Sequence, residues 1–299
     1  MSILSFPPVA DFAARTFSKL ANRRTPYRAV LPVRTEEIQV PTRHGEVAAT
    51  LYHPPSADAP PAVHVNAHGG GYVTGLPAFD DALCRHLATH AGVVVVNTSY
   101  ALAPRRRFPV PVEQIHDVLK WAAAASDRDW DGSRLTVGGQ SAGGALAAGA
   151  ARLAWETGGP ALALQVLHYP PLDLVTRAKD KPSPLGRKAV IQPWMGEIFD
   201  TAYIPDRGER GHRLASPAWG PNADGLDGIA PAVVITAELD RLRAEAITYA
   251  RKLDVAGALV QHHDVTGADH GYDMLGDAPG LAQQTYDLIA GHLRRAVSR

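Results

Sequence analysis

A single cysteine, Cys84, stands among 299 residues, which excludes an intramolecular disulfide, a cysteine-rich zinc site and an iron–sulfur cluster. Charge of either sign is not in excess: 30 Lys and Arg face 30 Asp and Glu. A surface that neutralises phosphates or rests on an anionic membrane carries a basic surplus, so nucleic-acid and membrane-surface partners are disfavoured. No apolar run approaches the ~18 residues that a membrane helix requires. The opening segment MSILSFPPVADFAARTF lacks a basic leader, is interrupted by Pro7 and Pro8 and reaches Asp11 early, which does not fit a secretory signal. Apolar residues still make up 45% and charged residues 20% of the chain, ordinary for a globular protein with a sizeable core. The expectation is a neutral, cytoplasmic protein without a membrane span, in which Cys84 is a small core residue of a helix.

Length alone would allow two domains, although large α/β sheets often use the whole of such a chain as one unit. The first 35 residues read as an arm with a short helix or two, because Phe12, Phe17 and Leu20 fall at near-helical spacing. EEIQV and VAATLY then predict two strands joined at His44-Gly45. Beyond a proline-rich link at 54–61, short apolar runs alternate with helix-period segments. The runs are 62–67, 93–97, 135–137, 162–167, 232–236 and 259–265, and Val112, Ile115, Leu119 and Ala122 illustrate the single apolar stripe of the segments between them. Strands that are apolar throughout and separated by helices predict a parallel sheet covered on both faces. From Leu172 to about Pro231 the alternation stops and prolines recur, with one helix predicted around Trp194 to Tyr203. A loop of that length inside a compact domain suggests a functional insertion such as a lid.

Two glycine-rich segments carry the chemistry. Leu135 to Gly144 runs from a strand into Gly139-Gln140-Ser141-Ala142-Gly143 and then an alanine-rich helix. In a nucleophile elbow the serine occupies a strained turn, and glycines two positions to either side let strand and helix approach closely. The helix that follows also aims its first amides at negative charge formed near Ser141. The pattern alone arises by chance in roughly one such chain in ten, so the strand–turn–helix setting is what gives it weight. His68-Gly69-Gly70-Gly71 follows the run 62–67 directly. Consecutive glycines carry a high chain-entropy cost and are used where backbone amides must face a ligand, as in the loops that form esterase oxyanion holes.

A serine hydroxyl needs an adjacent base oriented by a carboxylate, and on such a fold the order is Ser, then Asp or Glu, then His. Asp240 and His270 lie just past the runs 232–236 and 259–265. Glu238 competes but sits closer to its strand end. His262 and His263 lie within a strand, and His292 lies on the last helix. Neighbouring strand residues point to opposite faces, which also argues against a metal held by His262 and His263 together. Arg105 to Arg107 read as a solvated surface loop, with the lining of an acidic leaving-group site as the alternative. Phe12, Phe17, Trp194 and Phe199 are candidates to wall a pocket.

HGGG, GQSAGG, ELDRLR, DHGY and the run Ser99-Tyr100-Ala101-Leu102-Ala103-Pro104 with Phe108-Pro109 resemble the hormone-sensitive-lipase (bacterial family IV esterase) family of α/β-hydrolases from about Glu37 to the end, including Arg213 to Pro217. The resemblance implies an α/β-hydrolase fold, a mostly parallel central sheet with helices on both faces. Residues 1–36 and an insertion at about 172–230 would form a helical cap, and 37–299 the catalytic domain. It implies a serine carboxylesterase acting on small to medium-chain esters, with Ser141 as nucleophile, Asp240 and His270 completing the triad, and the amides of Gly70, Gly71 and Ala142 as the oxyanion hole. His68, with Gly69, Gly139 and Gly143, would support those loops, and no cofactor or metal would be required. Amide hydrolysis, acyl transfer, lyase chemistry or a non-catalytic small-molecule receptor are the alternatives on this scaffold, and a homodimer through the last strand and helix is compatible with it. The chain departs from the family at Gln140, where Asp or Thr is usual, at Arg105 to Arg107, and at Tyr72, which replaces a more frequent Trp and would border the substrate pocket.

Overall fold

The computed structural model describes residues 2–21, 31–56, 59–75, 77–274 and 279–298. Part of the N-terminal arm, 22–30, and residues 57–58 of the proline-rich link lie outside the described residues. Eight strands form one sheet: β1 (Arg34–Thr42), β2 (Gly45–His53), β3 (Ala62–Ala67), β4 (Val94–Thr98), β5 (Asp131–Gln140), β6 (Leu164–His168), β7 (Ala232–Ala237) and β8 (Leu259–Val265). Their order is β1-β2-β4-β3-β5-β6-β7-β8. β2 pairs antiparallel with β1 and with β4, and every other neighbour pair is parallel.

Burial explains the texture of these strands. Every residue of β3, β4, β6 and β7 is buried, as expected where helices cover both faces. Polar residues inside them find partners: His64 bonds Thr136 on β5, and Asn66 donates to Asn97 on β4. β5 is longer than the predicted 135–137, because Asp131 pairs with Ala62 across a register shift before the apolar part begins. β6 starts two residues later than predicted, at Leu164.

The helices α2 (Asp81–Ala91), α3 (Val110–Ala124), α4 (Ala142–Thr157), α6 (Arg243–Val255) and α7 (Pro279–Val297) cover the sheet. α2 and α7 pack one side with Leu83, Cys84, Leu87, Ile289 and Leu293, whose spacing of three and four keeps one stripe inward. On the other side α3, α4 and α6 bury Val112, Ile115, Leu146, Tyr249 and Leu253. Among the described residues, no helix is long and apolar enough to cross a membrane.

The arm holds two helical segments as expected, a 3-10 turn at Ile3–Ser5 and the helix α1 (Pro7–Ala21), but α1, at 15 residues, is not short. Pro7 and Pro8 open it, since the first turn leaves backbone N–H groups unpaired and a proline has none to lose. α1 packs against α5 (Pro193–Tyr203), which forms between β6 and β7 amid short 3-10 turns. Arg107 is likewise not simply solvated: its guanidinium pairs with Asp11 of α1 at 2.7 Å and donates to the carbonyl of Ala202 on α5. Buried Lys181 and Glu245 meet at 2.5 Å, and Glu245 also accepts from the amide of Leu172, fastening the start of this insertion to α6.

Candidate active site

Three strand ends bring the predicted residues together. β5 stops at Gln140, and Ser141 turns the chain into α4 with φ 52° and ψ −122°, a conformation few non-glycine residues adopt. Its amide donates to the carbonyl of His168 at 2.9 Å, and its own carbonyl accepts from Ala145, so both sides of the turn are fixed. Gly143 is needed for close approach: any Cβ there would run into the carbonyls of Ala67 and His68 at the end of β3. Gly139 packs against the same Ala67 carbonyl and against Gly143 itself.

The Ser141 hydroxyl lies 2.8 Å from Nε2 of His270, and Nδ1 of that ring lies 2.7 Å from Oδ2 of Asp240. All three residues are buried. Asp240 follows β7, and its other carboxylate oxygen accepts from the Leu242 amide at 3.0 Å, which fixes the rotamer. Such a partner selects the tautomer with the proton on Nδ1, leaving Nε2 to accept from the hydroxyl. Burial pulls the imidazole pKa down, but the charge and hydrogen bond of Asp240, with Asp269 and Asp273 behind, outweigh this and leave it above 6.5. Glu238 points elsewhere, accepting from the Gly267 amide at 2.7 Å. His262 bonds Thr236 on β7.

Beside this chain of hydrogen bonds runs the glycine loop. Gly70 has φ 124° and no room for a side chain, because a Cβ would overlap the carbonyl of Thr74. The Gly70 carbonyl accepts from Val73 and Thr74, while among the described residues no backbone carbonyl accepts from the amide of Gly70 or Gly71. Ala142 is the first residue of α4, where helical geometry leaves the amide without an intrahelical partner. His68 supports the loop from below: Nδ1 lies 2.7 Å from the Gly69 carbonyl, and its ring stacks on Tyr100 at 4.3 Å. Burial lowers its pKa to about 4, so the ring is neutral. Tyr72 is buried and its ring is covered by Tyr203 of α5, centroids 4.0 Å apart.

Of the four aromatics proposed as pocket walls, Phe17 and Phe199 pack together over the loop, with Trp194 at the edge of Phe17. Phe12 does not join them; it is 74% exposed on the far side of α1. Sequence reasoning missed Asp273, a buried carboxylate behind the site that accepts from Gln140, Tyr169 and Tyr286. The signal was present, because Asp273 follows His270-Gly271-Tyr272 directly and Gln140 needed a partner.

A family model described as the alpha/beta hydrolase fold matches residues 64–274, and the chain belongs to that family, within its hormone-sensitive-lipase-like group of carboxylic ester hydrolases. Among curated proteins it is similar to carboxylesterase NlhH of Mycobacterium tuberculosis, 31% identical over 88% of this chain and 83% of that one. It is also similar to ethyl acetate hydrolase of Pseudomonas putida, 33% identical over 89% of this chain and 84% of the relative. Among solved structures, the thermophilic carboxylesterase EstE1 from a metagenomic library superposes with a TM-score of 0.82 at 29% identity, covering 99% of both chains. The esterase of Pyrobaculum calidifontis superposes at 0.80 with 30% identity, over 99% of this chain and 93% of that one.

Proposed function

We propose that the protein hydrolyses small to medium-chain carboxylic esters through an acyl-enzyme on Ser141. The observation that carries this reading is the continuous hydrogen-bonded chain from the Ser141 hydroxyl through His270 to Asp240, at 2.8 and 2.7 Å. Ser141 Oγ attacks the ester carbonyl carbon while His270 Nε2 takes the hydroxyl proton, and Asp240 stabilises the imidazolium that results. The carbonyl oxygen, now negative, accepts from the amides of Gly70, Gly71 and Ala142; each such donor is worth about 10²- to 10³-fold in rate. Collapse expels the alkoxide, which leaves as alcohol with the proton from Nε2. Water then attacks the acyl-serine carbonyl, His270 again takes and returns a proton, and the carboxylic acid departs with Ser141 restored.

Residues 1–36 and 172–230 serve in this reading as a cap that limits what reaches the serine. Phe17 and Phe199, packed together above the glycine loop, favour a short acyl chain. The printed activity of the Pseudomonas putida relative, ethyl acetate hydrolysis, agrees with a small ester. The test is labelling with an organophosphate followed by peptide mapping, alongside rates over a series of p-nitrophenyl esters. A single adduct on Ser141, no turnover by Ser141→Ala and rates declining towards long acyl chains are expected. An adduct elsewhere, or more than a few per cent of activity left in Ser141→Ala, overturns the mechanism.

A further inference from the structure

Asp273 takes no part in the chain from Ser141 to Asp240, yet its side chain is wholly removed from solvent directly behind it. Three donors converge on its carboxylate: Gln140 Nε2 and Tyr286 OH on Oδ2, the latter at 3.0 Å, and Tyr169 OH on Oδ1 at 2.5 Å. They come from three elements. Gln140 ends β5 and is bonded covalently to Ser141; Tyr169 follows β6; Tyr286 lies on α7. Tyr169 has φ 37°, a left-handed conformation that an aromatic residue keeps only when its surroundings impose it. Its ring lies against the His270 imidazole, centroids 4.8 Å apart. The residue before it, His168, accepts the Ser141 amide.

Asp273 therefore reaches the nucleophile through Gln140 and the base through the Tyr169 ring. We propose that Asp273 is a positioning residue: its buried carboxylate, through Gln140 and Tyr169, sets where the Ser141 hydroxyl stands relative to the His270 imidazole, without touching substrate. This rests on the roles of Ser141 and His270 proposed above. A carboxylate suits the position because it accepts from all three neighbours as they stand; an amide at 273 keeps one acceptor oxygen, so its NH2 would force at least one of them to turn an oxygen towards it. The same charge also acts on the base. The groups facing His270 are Asp240 from the β7 loop, Ser141 from β5, His168 and Tyr169 from β6, and Asp269 and Asp273 from its own loop. Asp273 is one of the charges that hold the imidazole pKa up.

The test is a pair exchange at constant side-chain length, in the full chain, comparing Asp273→Asn, Gln140→Glu and the double variant. The readouts are kcat, KM and the acid limb of kcat/KM for p-nitrophenyl acetate, with the rate of organophosphate labelling. Asp273→Asn should lower kcat about tenfold to a hundredfold, the scale of a misplaced reacting group, with KM changed less than threefold and the acid limb moved to lower pH. Gln140→Glu should lose a similar factor by setting two carboxylates against each other. The double variant restores one carboxylate facing one amide and should recover at least about tenfold, a coupling that independent structural damage does not produce. A kcat within twofold of wild type in folded Asp273→Asn, or no recovery in a folded double variant, overturns the inference. Should Asp273→Asn fail to fold, Tyr169→Phe removes only the phenol bond: a severalfold or greater loss of kcat at constant KM supports the role, and an unchanged kcat overturns it. Labelling of wild type anywhere but Ser141 would instead overturn the underlying mechanism.

Discussion

The ring of Phe17 on α1 meets the ring of Phe199 on α5 edge to face, with centroids 5.2 Å apart. Phe199 in turn lies so close to the glycine loop that a Cβ at Gly71 would come within 2.5 Å of its Cδ2. In the proposed reading α1 and α5 together form the roof of the site, packed against the glycine loop. Phe199→Ala opens that roof, and the ratio of kcat/KM for octanoate over acetate p-nitrophenyl esters should rise about tenfold, the scale of one or two methylenes in an apolar pocket. An unchanged ratio would mean that the acyl chain lies elsewhere.

The pH profile follows from the environment of His270. In its proposed role as base His270 works only as neutral imidazole, and burial, which pulls its pKa down, is outweighed by Asp240 and its neighbours, which hold it above the ordinary value. Activity should therefore fall as pH drops through a value above 6.5. Asp240→Asn removes the largest supporting charge, so the surviving activity should show its limb at lower pH, with kcat reduced by about 10⁴-fold as the tautomer preference is lost. The same shift has a sign for stability: a raised pKa favours the folded state at low pH, and that contribution is lost as pH rises through the folded value.

Gly71 carries one of the amides proposed to hold the oxyanion and packs against the Phe199 ring. Gly71→Ala meets both a positive φ of 59° and the Phe199 ring, so the loop must move. A fall in kcat of about 10²- to 10³-fold is expected, with weaker binding of a boronic acid that mimics the tetrahedral intermediate. Intact boronate affinity would separate the Gly71 amide from oxyanion binding.

The buried pair Lys181 and Glu245 fastens the insertion to α6. Burial already pushes the Glu245 pKa up to about 7, so Lys181→Met takes away the cation that favours its charged form, leaves it only the backbone donors of Leu172 and Asp173, and should destabilise the chain by about 3–5 kcal/mol in thermal or urea unfolding. Adding Glu245→Gln should recover much of that loss. No recovery would show that the lysine stem, and not the charge pair, carries the effect.

Much of this architecture was legible in the sequence, for physical reasons that differ by element. The buried parallel strands announce themselves because both faces select apolar residues, and β3 begins and ends where its apolar run does; β8, the edge strand, spans the expected 259–265 although it is only partly buried and mostly polar. That Ser141, Asp240 and His270 meet in space was readable because each sits a few residues past such a run, where the chain leaves the sheet. Contacts between segments distant in sequence were not readable. Arg107 meets Asp11 across 96 positions, with nothing local in either partner announcing the other, and Gln140, which needed a partner beside the elbow, finds it 133 positions away at Asp273. The full length of α1 was not readable from Phe12, Phe17 and Leu20 alone; Pro7 and Pro8 stand in its first turn, where a proline has no hydrogen bond to lose.

The turn at Ser141 carries a further consequence. Its φ of 52° and ψ of −122° suit glycine far better than serine. A Ser141→Gly chain loses its nucleophile but also sheds backbone strain of about 1–3 kcal/mol, set against a smaller entropic penalty for the added glycine. The dead enzyme should then outlast the living one on heating. Thermal stability and the proposed reaction therefore pull in opposite directions at this one residue.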